Sequence, residues 1–269
     1  MPEVHRTVVR NRRDAAPGIA ILEVEAPQLR AVQPGQFAMV VPPRGELPAT
    51  ALGIYDVFTG GIALMVVVVG PRTRELAQLA SGAELTLLAP LGNGFDVSAL
   101  GDDVALIAGG VGLASLLLPA RAILERGARA TLYYGARTET ALVDADKFRT
   151  LGIAVNAATD DGSCGHRGYV TDAFAGDAAR YSGIAACGPS PMLRAVGRIA
   201  ARHGVRAQLS LEETFACGVG ACWGCVVPLS RASAQAPPFP APPPEDPRAY
   251  VHARICKEGP VFWAHELQW

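Results

Sequence analysis

The sequence predicts a multidomain chain: an antiparallel β-barrel over residues 1–98, a doubly wound parallel α/β sheet over 99–208, and a small cysteine-rich domain over 209–269. Three observations carry this reading. Short β-rich runs broken by proline and glycine fill the N-terminal third. Strand-like and helix-like segments alternate from Gly101 onward. Three of the six cysteines crowd into CGVGACWGC, Cys217–Cys225. A chain of 269 residues has room for two or three such units and a substantial core.

In the first part, VHRTVVRNRR, IAILEVE, GQFAMVVPP, ALGIYDVFTG, IALMVVVVG and AELTLLAPLG read as six strands, a spacing that suits a small barrel. The helical interruption is TRELAQLA, residues 73–80, with Thr73 expected as its N-cap. In the second part, DVALIAGG, RATLYYGAR, IAVNAATDDG, the end of DAARYSGIAACGPS and VRAQLSLEE read as strands. LASLLLPARAILERG, ADKFRTLG and PMLRAVGRIAARHG read as helices. Alternation of the two argues for a parallel sheet, whose strands are apolar on both faces. In the tail, RASAQAPPFPAPPPEDPRAY is too rich in proline for a packed element; residues 231–248 are expected as an exposed, partly extended insertion. No internal repeat is visible.

Charge excludes some partners. Lys and Arg number 24 against 25 Asp and Glu, with no basic stripe or charged tail, so neither nucleic acid nor a charged partner is expected. MPEVHRTVVR lacks the apolar centre of a signal peptide. Val104–Ala120 is uncharged and almost long enough to span a bilayer, but it breaks at Gly109-Gly110 and carries Pro119. A buried strand, a glycine turn and a helix explain it better than a membrane span. The expected location is therefore the cytoplasm, where clustered cysteines point to metal or redox chemistry rather than to structural disulfides.

Cys217, Cys222 and Cys225 form a C-x4-C-x2-C run, and Cys256 in ARICKEGP stands as a distant fourth thiol. That order matches the plant-type [2Fe–2S] pattern. Glycine suits the intervening loop, which must curl with its N–H groups turned toward sulfur. Zinc is the alternative metal, although structural zinc usually takes two close knuckles and only one is present here; unligated thiols are the remaining alternative. Cys164 reads as an ordinary buried thiol. Gly110-Val111-Gly112, between a strand and a helix, would let backbone amides approach a pyrophosphate. As a dinucleotide fingerprint it is incomplete, since Ser115 occupies the third glycine position, and close packing explains the glycines equally well.

Taken together, APLGNGF (89–95), IAGGVGLAS (107–115), TDDGSCGHRGYVTD (159–172), ACGPSPML (186–193), SLEETFACGVGACWGCVVP (210–228) and ICKEGPVF (255–262) give a resemblance to a known family. From Val4 to Trp269 the chain resembles the electron transfer subunits of NAD-dependent dihydroorotate dehydrogenase, within the ferredoxin–NADP reductase superfamily. The resemblance implies FAD in the barrel, NAD as co-substrate on the middle domain and a [2Fe–2S] cluster on Cys217, Cys222, Cys225 and Cys256. It places Gly109, Gly110 and Gly112 under the dinucleotide, and Cys187-Gly188-Pro189 beside the nicotinamide. It further implies a partner, an FMN-containing catalytic subunit that oxidises dihydroorotate to orotate in pyrimidine biosynthesis, in a heterotetramer. Electrons would leave that FMN singly, pass through the cluster to FAD, and depart as hydride to NAD.

One departure stands out. The family's Arg-Pro-x-Ser flavin motif is replaced by Thr50-Ala51-Leu52-Gly53, and its Gly-x-Gly-Thr phosphate element reads Gly70-Pro71-Arg72-Thr73. Backbone contacts from Gly53 and from Val66-Val67 would survive such changes. Arg72 would either carry the missing guanidinium to the phosphates or point into solvent. Two other functions fit the same sequence: the small subunit of an NADH-dependent ferredoxin:NADP reductase or of a sulfide dehydrogenase, and a non-catalytic iron–sulfur scaffold that has lost its flavin.

Overall fold

The computed structural model describes residues 2–29, 31–43, 48–230 and 250–268; the expected proline-rich insertion lies outside them. Six strands close an antiparallel barrel: β1 (Glu3–Ala16), β2 (Ile19–Glu25), β3 (Phe37–Val41), β4 (Thr50–Phe58), β5 (Gly61–Val67) and β6 (Glu84–Leu91). Their order around the barrel is β1-β2-β5-β4-β3-β6. β1 closes it by serving two neighbours: residues 3–8 pair with β6, and residues from Val9 onward pair with β2. Irregularities between Val9 and Asn11 and between Asp14 and Ala16 bend the strand, as bulges do. Alternation sends Leu22, Val24, Leu64, Val66, Leu85 and Leu87 into the interior.

Helix α1 (Pro71–Ala77) caps one end of the barrel through fully buried Leu76. It begins two residues before the expected TRELAQLA segment, and its N-cap is Gly70, not Thr73. Proline at the first helical position supplies the helical φ and loses no needed donor. Thr73 instead reaches back from the third helical position. Its Oγ1 accepts from the Val69 amide at 2.9 Å and the Gly70 amide at 3.2 Å.

The second unit is a seven-stranded sheet. It is built from β7 (Asp103–Gly109), β8 (Arg129–Ala136), β9 (Ala154–Thr159), β10 (His166–Arg167), β11 (Gly183–Cys187), β12 (Arg206–Ser210) and β15 (Val261–Trp263), in the order β10-β9-β8-β7-β11-β12-β15. All are parallel except β15, which returns from the C-terminal region to pair antiparallel with β12. α2 (Leu117–Glu125) and α3 (Ala145–Thr150) cover one face; α4 (Val170–Ala175) and α5 (Ser190–His203) cover the other. β7 feeds both layers: Ala105 and Ile107 pack to one side, Val104, Leu106 and Ala108 to the other. The apolar stretch 104–120 is thus strand, a 3-10 turn at Gly110–Ser115 and the start of α2. Among the described residues, no helix is long and apolar enough to cross a membrane.

The remaining pair, β13 (Val226–Ser230) and β14 (Tyr250–Arg254), forms a two-stranded ladder. Between barrel and sheet lies a polar latch. Tyr55 Oη donates to Asp144 Oδ2 at 2.6 Å, Arg13 also pairs with Asp144, and Arg121 and Lys147 hold Asp56. Lys147 Nζ further sits 4.6 Å from the centre of the Tyr55 ring.

Candidate functional site

The β4–β5 ladder stops at Ile54↔Leu64. Beyond it, Thr50–Gly53 pair only with β3, and Met65–Val67 only with β2. The strands splay, and each presents a free backbone edge to the gap. A cavity of about 520 Å³ opens there. Its walls are Thr50–Gly53 of β4, Met65 and Val67 of β5, the Val69–Thr73 turn, Val111, Ala114 and Ser115 after β7, and Ser210–Phe215 after β12. Five of the expected cofactor residues line it: Gly53, Val67, Gly70, Arg72 and Thr73. The side chain of Val66 turns into the barrel core, fully buried, so only its backbone is available to the cavity side.

The remaining expected residues meet at the C-terminal ends of β7 and β11. These strands are neighbours, in register Cys187↔Ala108, and the winding of the sheet reverses between them. A crevice at such a reversal is where open α/β sheets bind ligands. Gly112 packs so closely that a Cβ would collide with the Cys187 carbonyl and the Gly188 amide. A Cβ on Gly109 would stand 2.7 Å from Met192 Sδ. Gly110, at φ +54°, has open space beside it. Two of the three loop glycines therefore serve close packing, and one faces free volume.

Cys187 is fully buried, and burial together with the neighbouring Glu212 carboxylate pushes its thiol far above the ordinary range. Its Sγ donates to Glu212 Oε1 at 3.5 Å. Burial pushes Glu212 up as well, and the residue lines the cavity. The sequence reading passed over Glu212. The available signal was its position, two residues past the end of a buried strand and five before the first clustered cysteine. Cys164, expected buried, is half-buried in the turn after β9, because Thr159 Oγ1 bonds both its N–H and its carbonyl there.

All six cysteines are free. The four in the tail stand as two pairs. Cys217 Sγ accepts from the Ala221 and Cys222 amides at 3.3 and 3.4 Å, and Cys225 Sγ accepts from the Cys256 amide at 3.4 Å. Burial pushes the Cys217 thiol up, but the amides of Cys222, Val219 and Ala221 outweigh it and hold it down at about 6. Burial and the Cys225 thiol push Cys256 up to about 12. The loop turns through positive φ at Gly218, Gly220 and Trp223. Arg254 braces it: Nη1 donates to the Gly220 carbonyl at 2.7 Å, the guanidinium lies 4.8 Å from the centre of the Trp223 ring, and Glu258 grips its other nitrogens. Among the described residues, no three His, Cys, Asp or Glu side chains converge tightly enough to hold a single metal ion.

A closed antiparallel barrel beside a parallel sheet with a glycine-lined switch point is the fold of the ferredoxin reductase type. Residues 106–198 match the family described as the oxidoreductase NAD-binding domain. The chain is 34% identical over 238 residues, 88% of its own length and 80% of the relative's, to a probable dihydroorotate dehydrogenase B (NAD(+)), electron transfer subunit, of Methanothermobacter thermautotrophicus. It is 33% identical over 234 residues, 87% and 86% of the two chains, to the dihydroorotate dehydrogenase B (NAD(+)), electron transfer subunit, of Caldanaerobacter subterraneus subsp. tengcongensis. Among solved structures, that of an NADH-dependent reduced ferredoxin-NADP oxidoreductase superposes with a TM-score of 0.81 at 27% identity, covering 98% of this chain and 90% of the other. The chain belongs to the family of electron transfer subunits of NAD-dependent dihydroorotate dehydrogenase B.

Proposed function

We propose that this chain carries electrons between an FMN-containing catalytic subunit, which oxidises dihydroorotate, and NAD. The carrying observation is the adjacency of three parts. The cavity between β4 and β5 is walled on one side by the switch-point loop and on another by Ser210–Phe215, which runs directly into the cysteine loop. FAD fits the cavity: its volume suits a drug-sized or larger ligand, and the unpaired strand edges offer donors and acceptors to a flavin ring. NAD suits the crevice at Gly110 and Cys187–Pro189. Four thiols in two pairs suit a two-iron cluster, each iron taking two thiolates. In these roles the domains are residues 1–98 for FAD, 99–208 for NAD and 209–269 for the [2Fe–2S] cluster.

When bound, the cluster supplies single-electron transfer and the flavin exchanges one electron with it and two with nicotinamide. The chain's own residues position and insulate. Amides of Ala221, Cys222 and Cys256 stabilise thiolate charge at sulfur. Cys187, sealed in the core beneath the switch-point loop and bonded to Glu212, keeps its proton. The free thiols fit a cytoplasmic location, and a heterotetramer with the FMN subunit is the assembly this reading expects.

Whole-chain likeness to the NADH-dependent reduced ferredoxin-NADP oxidoreductase favours a second reading, a subunit of such an enzyme. Co-expression with candidate partners separates the two. An FMN subunit that co-purifies and forms orotate with NAD supports the first, and a partner that reduces NADP from ferredoxin supports the second. Anaerobically purified protein should contain iron and inorganic sulfide in equal amounts and a flavin absorbance. Alanine at Cys217, Cys222, Cys225 or Cys256 should remove the iron bands. Zinc in place of iron would reject the cluster.

A further inference from the structure

Among the described residues that line the cavity, the cation is Arg72. Among the described residues no carboxylate pairs with Arg72; its one hydrogen bond there runs from Nη1 to the Ala49 carbonyl at 3.5 Å, the weak limit of such a bond. Ala49 precedes Thr50, and the Thr50 Oγ1 is buried with no hydrogen-bond partner among the described residues. An orphaned buried hydroxyl is costly unless a ligand completes it. Two of the nearby backbone donors are not available to an anion. The Val69 and Gly70 amides are already occupied by Thr73 Oγ1. The acids among the lining residues, Glu212 and Glu213, stand on the Ser210–Phe215 wall, Glu212 beside Cys187.

We propose that Arg72 and Thr50 together hold the pyrophosphate of the flavin dinucleotide, bridging from α1 to the start of β4. This rests on the flavin reading above and adds to it the residues that bind the charged end. Arginine's planar fork can take two phosphate oxygens at once, and a threonine hydroxyl adds a third donor. Leaving the long bond to Ala49 costs little. The family's β4 arginine is thereby replaced from a different element, with Thr50 standing where that arginine would be.

The test uses the full chain stripped of flavin and titrated by fluorescence with FAD, riboflavin and NAD. Arg72→Ala should weaken FAD binding roughly 10- to 150-fold, the range for a charge-assisted hydrogen bond, and leave riboflavin, which has no phosphate, unchanged. Unchanged NAD affinity would assign the effect to the flavin's pyrophosphate; a loss confined to NAD would overturn the assignment. Thr50→Val, nearly isosteric and suited to a strand, should cost FAD about 2- to 10-fold. Arg72→Ala with Thr50→Arg should recover FAD affinity, because the cation returns from β4. Alanine favours the helix, so α1 should persist, checked by an unchanged thermal melt. Equal FAD affinity in wild type and Arg72→Ala would overturn the proposal, as would equal losses for FAD and riboflavin. A wild-type chain that binds no FAD would remove the flavin reading itself, a result distinct from either.

Discussion

Gly112 and Gly110 stand two positions apart and answer to different demands. A methyl on Gly112 meets backbone, the Cys187 carbonyl and Gly188 amide, which cannot swing aside. Gly112→Ala should therefore cost about 1–3 kcal/mol of stability, as overpacking does, visible as a lowered thermal midpoint with or without NADH. A methyl on Gly110 meets nothing but must adopt φ +54°. Gly110→Ala should cost about 1 kcal/mol from backbone conformation, and its larger effect should appear as weaker NADH binding. Equal behaviour of the two variants would contradict this division. Arg254 makes a second residue-scale case. It braces Gly220 and Trp223 and places a fixed positive charge beside Cys225 and Cys256. Arg254→Gln should lower the reduction potential of the proposed cluster by on the order of tens of millivolts. Arg254→Lys should recover the potential more than the lifetime of the cluster, because lysine keeps the charge but not the fork. Potentiometry followed by electron paramagnetic resonance, together with the rate of bleaching in air, reads both.

At the scale of elements, the latch between β4 and α3 makes a pH-dependent prediction. Burial pushes Asp144 up, but the Arg13 guanidinium, the Tyr55 hydroxyl and Lys147 outweigh it and hold its carboxyl below the ordinary range. A depressed carboxylate stabilises the fold fully above its unfolded value, near 3.9, and that contribution disappears as pH falls through the lower folded value. Denaturant unfolding of Asp144→Asn should show a loss of about 1–3 kcal/mol at neutral pH, shrinking as the pH falls below the unfolded carboxylate's range. Asparagine tolerates the φ of +53° at this position, so the backbone is not the cause. A gap independent of pH would argue against the ion pairs. The six barrel strands and the five central sheet strands were legible because they are apolar runs and proline or glycine punctuates most of them. α4 and β15 were not. The six residues of α4 and the three of β15 carry too short a period, and packing against the sheet decides their structure. The start of α1 was misplaced because threonine's capping habit was read without the preceding proline.

At the scale of the whole molecule, the large elements among the described residues build the barrel, the switch-point sheet and the scaffold of the cysteine loop, and in the proposed function none of them holds dihydroorotate. The isolated chain should form no orotate, while still passing electrons from NADH to an artificial acceptor. Orotate formed by protein free of any FMN subunit, measured by chromatography, would defeat this. Of the working parts, the three clustered cysteines, the distant Cys256 and the switch-point glycines were visible as spacing. The cavity was not, because it comes from two strands parting after Ile54 and Leu64, a property of register rather than of residue type. Glu212 was missed for a related reason: an acid in a polar run looks solvated until the fold sets Cys187 against it. The antiparallel return of β15 to β12 has a consequence for how the molecule can be taken apart. The cysteine loop leaves the sheet at Ser210 and rejoins it at Val261, so it is tied to one scaffold at both ends. It is not a detachable cassette. A chain cut after Ile255 would lose Cys256 and the edge strand in a single stroke, and grafting the loop onto another reductase would require carrying that strand with it.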